Sequence, residues 1–379
     1  MNKPTIYADH AATTPLSPAA RQAMFPYLDT LFGNPSTKYS LARDPRKAIA
    51  SARETIASAI GASPEEIYFT SGGTEADNWA LKGIAYASPL PKRFVTSSIE
   101  HHAVLRSCEA LMRMGHSVHY LPVDENGLVS CADLEPALMQ DTALVSIMLA
   151  NNEIGTIEPI EELSRIAHEH GAIFHTDAVQ AVGHIVIDVK QLGVDMLSSS
   201  SHKFNGPKGI GFLFVRNGVH LLPLMDGGAQ EHGIRAGTEN VASIVGMATA
   251  LQEHRNRLDA EIAYISSLQE RFLTKLKDTS LDYHINGAEK RIPGNISLSI
   301  RDANGEMLMH RLDLMGISVA TGSACDSQEE VQSHVIHAIH VPQSYAQGTI
   351  RLSFGMDNTE EQIDRIVACI ERIISSIAR

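Results

Sequence analysis

Val194-Asp195-Met196-Leu197, followed by Ser200-Ser201-His202-Lys203, reads as an apolar strand that delivers a lysine at its carboxyl end. An amine there is placed to hold an aldehyde group as a Schiff base. Upstream, Ala172-Ile173-Phe174-His175-Thr176 reads as a buried parallel strand and ends at Asp177. In an open α/β sheet, neighbouring parallel strands present their carboxyl ends at one edge, where ligands bind. A lysine and an aspartate on two such ends, one crossover apart, therefore face one planar ring. Taken alone, the pair has a plainer account as a surface lysine and a helix-capping aspartate.

The surrounding pattern supports the sheet. From Ala48 to about Gly218 helix and strand alternate: helix Ala48–Ile60, strand Glu66–Thr70, helix Glu75–Tyr86, strand Arg93–Thr96 and strand Ala143–Ala150. Such alternation predicts a mainly parallel, doubly wound sheet. Gly209–Val215 adds an apolar strand, and Asp226–Gly237 is glycine-rich and irregular. A proline-free helical pattern then runs from about Glu239 to Asp278, long enough to carry the chain into a second, smaller α+β unit. Strands near Asn295–Ile300 and Thr349–Phe354 and helices at Glu306–Met315 and Thr359–Ile377 make up that unit. The stripe Ile363, Ile366, Val367, Ile370, Ile374 on the last helix is a packing face.

Length and composition set limits on the function. With 379 residues, 44% apolar and 20% charged, the chain describes a globular protein with a large core and two domains. A formal net charge of −13 argues against a general nucleic-acid binder, which needs clustered Lys and Arg. Met1-Asn2-Lys3-Pro4 lacks the apolar core of a signal peptide, and no apolar run reaches the ~18 residues of a membrane helix. The four cysteines, at 108, 131, 325 and 369, form neither a CxxC pair nor a disulfide framework. A cytoplasmic protein with free thiols is the expectation.

Other predicted strand ends also carry polar, ligand-capable residues. Phe69-Thr70-Ser71-Gly72-Gly73-Thr74-Glu75 joins a strand to a helix start, and backbone N–H groups there, with the Thr74 hydroxyl, make a phosphate cradle. It is neither a Walker loop nor a GxGxxG dinucleotide turn. Glu100-His101-His102 and Asn151-Asn152-Glu153 follow two further strands. An imidazole suits ring stacking or proton transfer, and a carboxamide suits a phenolic oxygen. Lysine, acid and phosphate cradle together point to pyridoxal 5'-phosphate, whose protonated ring nitrogen requires an acid beside it.

With these motifs in order, the chain resembles the cysteine desulfurases of the class V aminotransferase group. The resemblance runs through Asp9-His-Ala-Ala-Thr13-Thr14, Gly33-Asn34-Pro35-Ser36, Phe69–Glu75, Glu100-His101, Asn151–Gly155, Asp177–Gln180, Ser201-His-Lys203 with Gly206–Gly209, Arg235–Asn240, Gly322-Ser-Ala-Cys325 and Ile350-Arg351-Leu-Ser. It implies a PLP-dependent transferase fold, with a large cofactor domain over 16–258 and a small domain from 1–15 and 259–379. It implies that Lys203 holds the cofactor, that Asp177 pairs with the ring nitrogen, and that Gln180 and Asn152 contact the phenolic oxygen. His101 would stack on the ring and relay protons. Gly73, Thr74, Ser200 and His202 would hold the phosphate, joined by Thr238 of a second subunit in a homodimer. Arg351, with Asn34, would bind the substrate carboxylate.

Cys325 separates desulfurases from other members of the group: its thiolate takes the substrate sulfur as a persulfide for transfer to a protein acceptor. The implied reaction is L-cysteine to L-alanine, serving iron–sulfur cluster assembly or another thiolation route. A selenocysteine lyase, or a silent sulfur-transfer scaffold, is the alternative. Three departures stand out. Gln328-Glu-Glu-Val-Gln332 lacks the glycine and proline usual after the cysteine, His340 stands where a glycine usually ends the following helix, and Ala229 replaces a glycine. His334, His337 and His340 recur at spacing three. A solvent-facing helix surface explains them more simply than a metal site.

Overall fold

The computed structural model describes residues 5–321 and 333–377, so Cys325 lies outside the described residues. The strands are β1 (Ile6–Tyr7), β2 (Ile67–Thr70), β3 (Arg93–Ser97), β4 (Ser117–Leu121), β5 (Thr142–Ser146), β6 (Ile173–Asp177), β7 (Met196–Ser200), β8 (Gly211–Val215), β9 (Tyr283–Asn286), β10 (Asn295–Ile300), β11 (Ile317–Ser318) and β12 (Thr349–Ser353). The longer helices are α1 (Pro18–Leu28), α2 (Arg43–Ile60), α3 (Gly73–Ala87), α4 (His102–Arg113), α5 (Cys131–Ala137) and α6 (Ile160–Glu169). After the short α7 (Val189–Leu192) come α8 (Val241–Lys277), α9 (Gly305–Leu314), the short α10 (His334–Ala338) and α11 (Gln343–Ala346), and α12 (Glu360–Ile377).

Among the described residues the main sheet has seven strands in the order β2-β8-β7-β6-β5-β3-β4. Only β8 runs against the others, pairing antiparallel with both β2 and β7. The parallel register sets Asp177 beside Ser198 across β6 and β7, so these two strand ends open at one edge. All five residues of β7 and of β8 are buried, as expected for strands covered on both faces.

The predicted strand 143–150 keeps only its first half in the ladder. Beyond Ser146 the chain stays buried but makes single bonds, Ile147 N to His175 O and Leu149 N to Asp177 O, before turning at Asn151. The apolar run outlasts the ladder because burial, and not strand pairing, sets its length.

Helix α8 serves two cores. Its first half places Met247 and Leu251 against the main sheet. Its second half places Ile265, Leu268, Phe272 and Leu276 in a separate cluster with Ile6, Ile296, Leu298, Ile350 and the α12 stripe. There β1 pairs in parallel with β11, and β10 lies between β9 and β12. Val335, Ile336 and Ile339 pack instead with the larger core.

The glycine-rich segment is pinned rather than loose. Glu231 and His232 adopt φ of 46° and 59°, a region that non-glycine residues seldom occupy. Two buried contacts hold them there. Arg53 clamps the Glu231 carboxylate through Nη1 at 2.9 Å and Nη2 at 2.7 Å, and the Phe69 N–H donates to the same group at 2.9 Å. Arg235 forks onto Glu75 at 2.8 and 3.0 Å.

Removing one member of a buried ion pair strands its partner. Glu231→Ala should therefore lower unfolding free energy by about 3–5 kcal/mol. Urea unfolding of the two proteins measures it, and a loss under ~1 kcal/mol would place the pair among weak surface bridges.

Candidate active site

Lys203 sits at the end of a single helical turn, Ser201–Lys203, directly after β7. Its Nζ donates to the carbonyl of Ala11 at 2.6 Å and to that of Ala12 at 2.9 Å. Gln180 Nε2 donates to the same Ala11 carbonyl at 3.0 Å, so the lysine and the carboxamide meet at one oxygen. Asp177 closes β6, buried, with the Val179 N–H on its Oδ1 at 2.9 Å. Burial raises its pKa, while that N–H and the Lys203 charge lower it. The expected pairing of a strand-end lysine and acid across neighbouring strands is thus what the sheet builds.

The phosphate cradle opens α3. Gly72, its cap residue, has φ 148° and provides no side-chain cap, so the first-turn N–H groups of a 15-residue helix point at whatever binds there. A Cβ on Gly73 would lie 2.6 Å from Val179 Cγ2 and 3.6 Å from Ser200 Cβ, which puts the helix start against the ends of β6 and β7. Thr74 is exposed. His202 bonds Thr13 Oγ1 through Nδ1 at 3.1 Å, and burial followed by the Lys203 charge drives its pKa down to about 4. It is neutral at pH 7 and offers a hydrogen bond without charge.

Arg351 comes from β12 in the second core. Nη1 donates to the Asn152 carbonyl at 2.9 Å, and Nη2 pairs with Asp9 Oδ1 at 2.7 Å. Its Nε is buried with no hydrogen-bond partner among the described residues. Asn34 is engaged in its own turn, accepting the Ser36 N–H at 2.9 Å. Thr238 is exposed on the surface of the chain.

His101 caps α4, accepting the Ala103 N–H on Nδ1 at 3.1 Å. Its ring and the carboxyls of Asp77 and Asp177 each bring a polar atom within 4.8 Å of the others. Ser333 hydrogen-bonds Glu153 at 2.6 Å and His334 Nε2 meets the Glu100 carbonyl at 3.0 Å, tying the chain just after the undescribed segment to the same region. The three histidines do not share a helix face, because α10 ends at Ala338. His340 lies beyond it with φ 58°, the backbone conformation that a glycine adopts without strain.

This arrangement has counterparts. Residues 6–366 match the class V aminotransferase family. A cysteine desulfurase IscS of Dictyoglomus turgidum is 49% identical over 377 residues, covering 99% of this chain and 96% of that one. The chain belongs to the cysteine desulfurase family. Among solved structures, a NifS-like protein superposes with a TM-score of 0.92 at 37% identity, covering 98% of this chain and 99% of the other. SspA in complex with cysteine gives 0.83 at 35% identity, covering 93% and 99%.

Enzymes of this family use pyridoxal 5'-phosphate, and the residues present fit it at both ends. At the uncapped start of α3, Gly72 takes a positive φ and Gly73 packs where a Cβ would strike Val179, so the two glycines let the first-turn N–H groups stand open to a phosphate. The buried acids at the other end suit a cationic ring nitrogen. Sequence reasoning missed two contributors, the Asp9 carboxylate on Arg351 and Asp77 beside Asp177. Asp77 was detectable as an acid inside the apolar run Ala76-Asp77-Asn78-Trp79-Ala80.

Gly73→Ala should weaken cofactor binding at least tenfold, since the new methyl collides with Val179. Val179→Ala should restore most of it in the double variant. Equilibrium binding to the apoprotein by fluorescence measures both, and a double variant no better than Gly73→Ala would show that contact with Val179 is not the cause.

Proposed function

We infer that this enzyme converts L-cysteine to L-alanine, passes the sulfur to Cys325 as a persulfide, and hands it on to a protein acceptor. One observation carries the substrate class. The segment Asp9–Ala12 is held at Asp9 by the Arg351 guanidinium and at Ala11 and Ala12 by the Lys203 ammonium. The Arg351 fork and the Lys203 amine therefore meet this one segment at points two residues apart, Asp9 and Ala11. An α-amino acid is the ligand that spans such a pair. The relatives' names and the neighbour solved with cysteine support cysteine among amino acids.

The bound cofactor supplies an electron sink for carbon–sulfur cleavage. Lys203 would anchor it, Asp177 would pair with its ring nitrogen, and Gln180 with Asn152 would bond its phenolic oxygen. His101 would stack on the ring and relay protons. Gly73, Thr74, Ser200 and His202 would hold the phosphate. Arg351, with Asn34, orients the substrate carboxylate through its planar fork. The Cys325 thiolate takes the sulfur, a sulfur–sulfur bond forming as the carbon–sulfur bond breaks.

Thr238 completes the phosphate site from a second copy, making the enzyme a homodimer. Its exposure supports this, as does the row of exposed apolar side chains Phe25, Leu28, Phe32 and Leu41. The acceptor belongs to iron–sulfur cluster assembly, as the name of the D. turgidum relative supports. Among the described residues no helix is long and apolar enough to cross a membrane, and Cys108, Cys131 and Cys369 are free thiols. The free thiols accord with work in a reducing cytoplasm.

L-cysteine with a reductant should yield alanine and sulfide in equal amounts, and Cys325→Ala should yield neither from cysteine. Desulfuration by Cys325→Ala at the wild-type rate would refute the persulfide route. Arg351→Lys should raise KM for cysteine at least tenfold with the cofactor still bound, because a point charge cannot copy the bidentate fork. An unchanged KM would remove Arg351 from the substrate site.

A further inference from the structure

Asp77 lies on α3, four residues after Gly73, and is buried to 1% exposure. It shares a pocket with Asp177 and His101, polar atoms of all three lying within 4.8 Å of one another. Its Oδ1 has no hydrogen-bond partner among the described residues and stands 3.8 Å from His175 Nε2. Ser198 beside it favours the ionised form of Asp77, the lesser influence next to burial and Asp177. Ser198 Oγ in turn meets His175 Nε2 at 2.9 Å, and His175 Nδ1 meets Ser146 Oγ at 2.8 Å.

The neighbours of Asp77 along this chain are uncharged. His175 is fully buried and burial pulls its pKa down to about 3, so it is neutral and carries one N–H. Its two ring nitrogens meet the hydroxyls of Ser198 and Ser146. No cation therefore stands behind Asp77. The charged or titratable groups facing the pair are Glu100, His101, His175 and Lys203. Glu100 is itself held toward its neutral form, at about 8, by burial. Lys203 acts on Asp177. Burial, and then the neighbouring Asp177, raise the pKa of Asp77 well above the carboxylate range. Two like charges this close in a dry site do not both ionise.

We propose that Asp77 is a positioning residue that stands as a neutral carboxylic acid beside Asp177, so that the acid pair carries a single negative charge and Asp177 alone presents it to the cofactor's ring nitrogen. The proton on Asp77 removes the repulsion that would otherwise push Asp177 toward its own neutral form. It does so on the helix whose first turn holds the phosphate, so one rigid element meets both ends of the cofactor. This inference rests on the assignment of Asp177 to the ring nitrogen.

Infrared difference spectroscopy tests it on whole protein, with and without cofactor. Wild type at pH 7 should show, beside the protonated carboxyl of Glu100, a second component that Asp77→Asn removes, and loading the cofactor should leave that component in place. Asp77→Asn preserves shape and neutrality, so it should bind the cofactor within about twofold of wild type. Asp177→Asn should bind it at least tenfold more weakly. A wild-type spectrum without a protonated-carboxyl band, a band unchanged in Asp77→Asn, or a loss of affinity in Asp77→Asn as large as in Asp177→Asn would overturn the proposal. If Asp77→Asn misfolds, titrating the band in a Glu100→Gln, Glu158→Gln double variant decides: the remaining band should persist through neutral pH, whereas its loss near pH 4–5 would overturn the proposal. Unimpaired binding by Asp177→Asn would instead refute the placement of Asp177 at the ring nitrogen, a separate failure.

Discussion

The Lys203 ammonium lies between two backbone carbonyls, those of Ala11 and Ala12, and the rest of the site is arranged around that constraint. A lysine at the end of a parallel strand would otherwise swing over several ångströms of solvent. Here two charge-assisted bonds fix its reach and direction. The same short segment takes the Arg351 fork at Asp9, Gln180 at Ala11, His202 at Thr13 and, through Thr14, the backbone of His202 and Asn205. The chain's beginning thus sews the second core to the edge of the main sheet. Holding the cofactor and holding the amino acid become parts of one geometric problem.

Electrostatics sets a second condition. Asp77, Glu100 and Asp177 are all buried near one sheet edge, and each is pushed toward its neutral form mainly by burial. Such a cluster tolerates one negative charge comfortably when a cation stands opposite. Lys203 is one such cation, and the cationic ring nitrogen of a bound cofactor would be another. Polar groups without a hydrogen-bond partner among the described residues, Asp77 Oδ1 and Glu100 Oε2, lie in this same region. Unpaired buried acids are costly to a fold, so their concentration here marks binding rather than packing.

Much of this was legible in the sequence because the local rules and the site coincide. Strand ends are readable from apolar runs, and Lys203, Asp177, Asn152 and Gly73 each follow one directly. Asp9 and Asp77 were not legible as partners. Asp9 gains its role from a pairing across 342 positions with Arg351, which no local pattern encodes. Asp77 reads as the polar side of a helix start until packing shows that this side faces the sheet. The strand 143–150 was drawn too long because apolar character reports burial, while the paired ladder stops at Ser146 opposite His175. His340 broke the glycine pattern in the sequence, yet the backbone keeps a positive φ there.

The central claim is that Lys203, and not the nearby Lys208, carries the cofactor. Reducing the loaded enzyme with borohydride makes the bond between cofactor and protein permanent, and peptide mass spectrometry then locates it. A pyridoxyl-phosphate adduct on Lys203, absent from Lys203→Ala and unaffected by Lys208→Ala, is the predicted result. An adduct on Lys208, or one that survives in Lys203→Ala, would contradict the account.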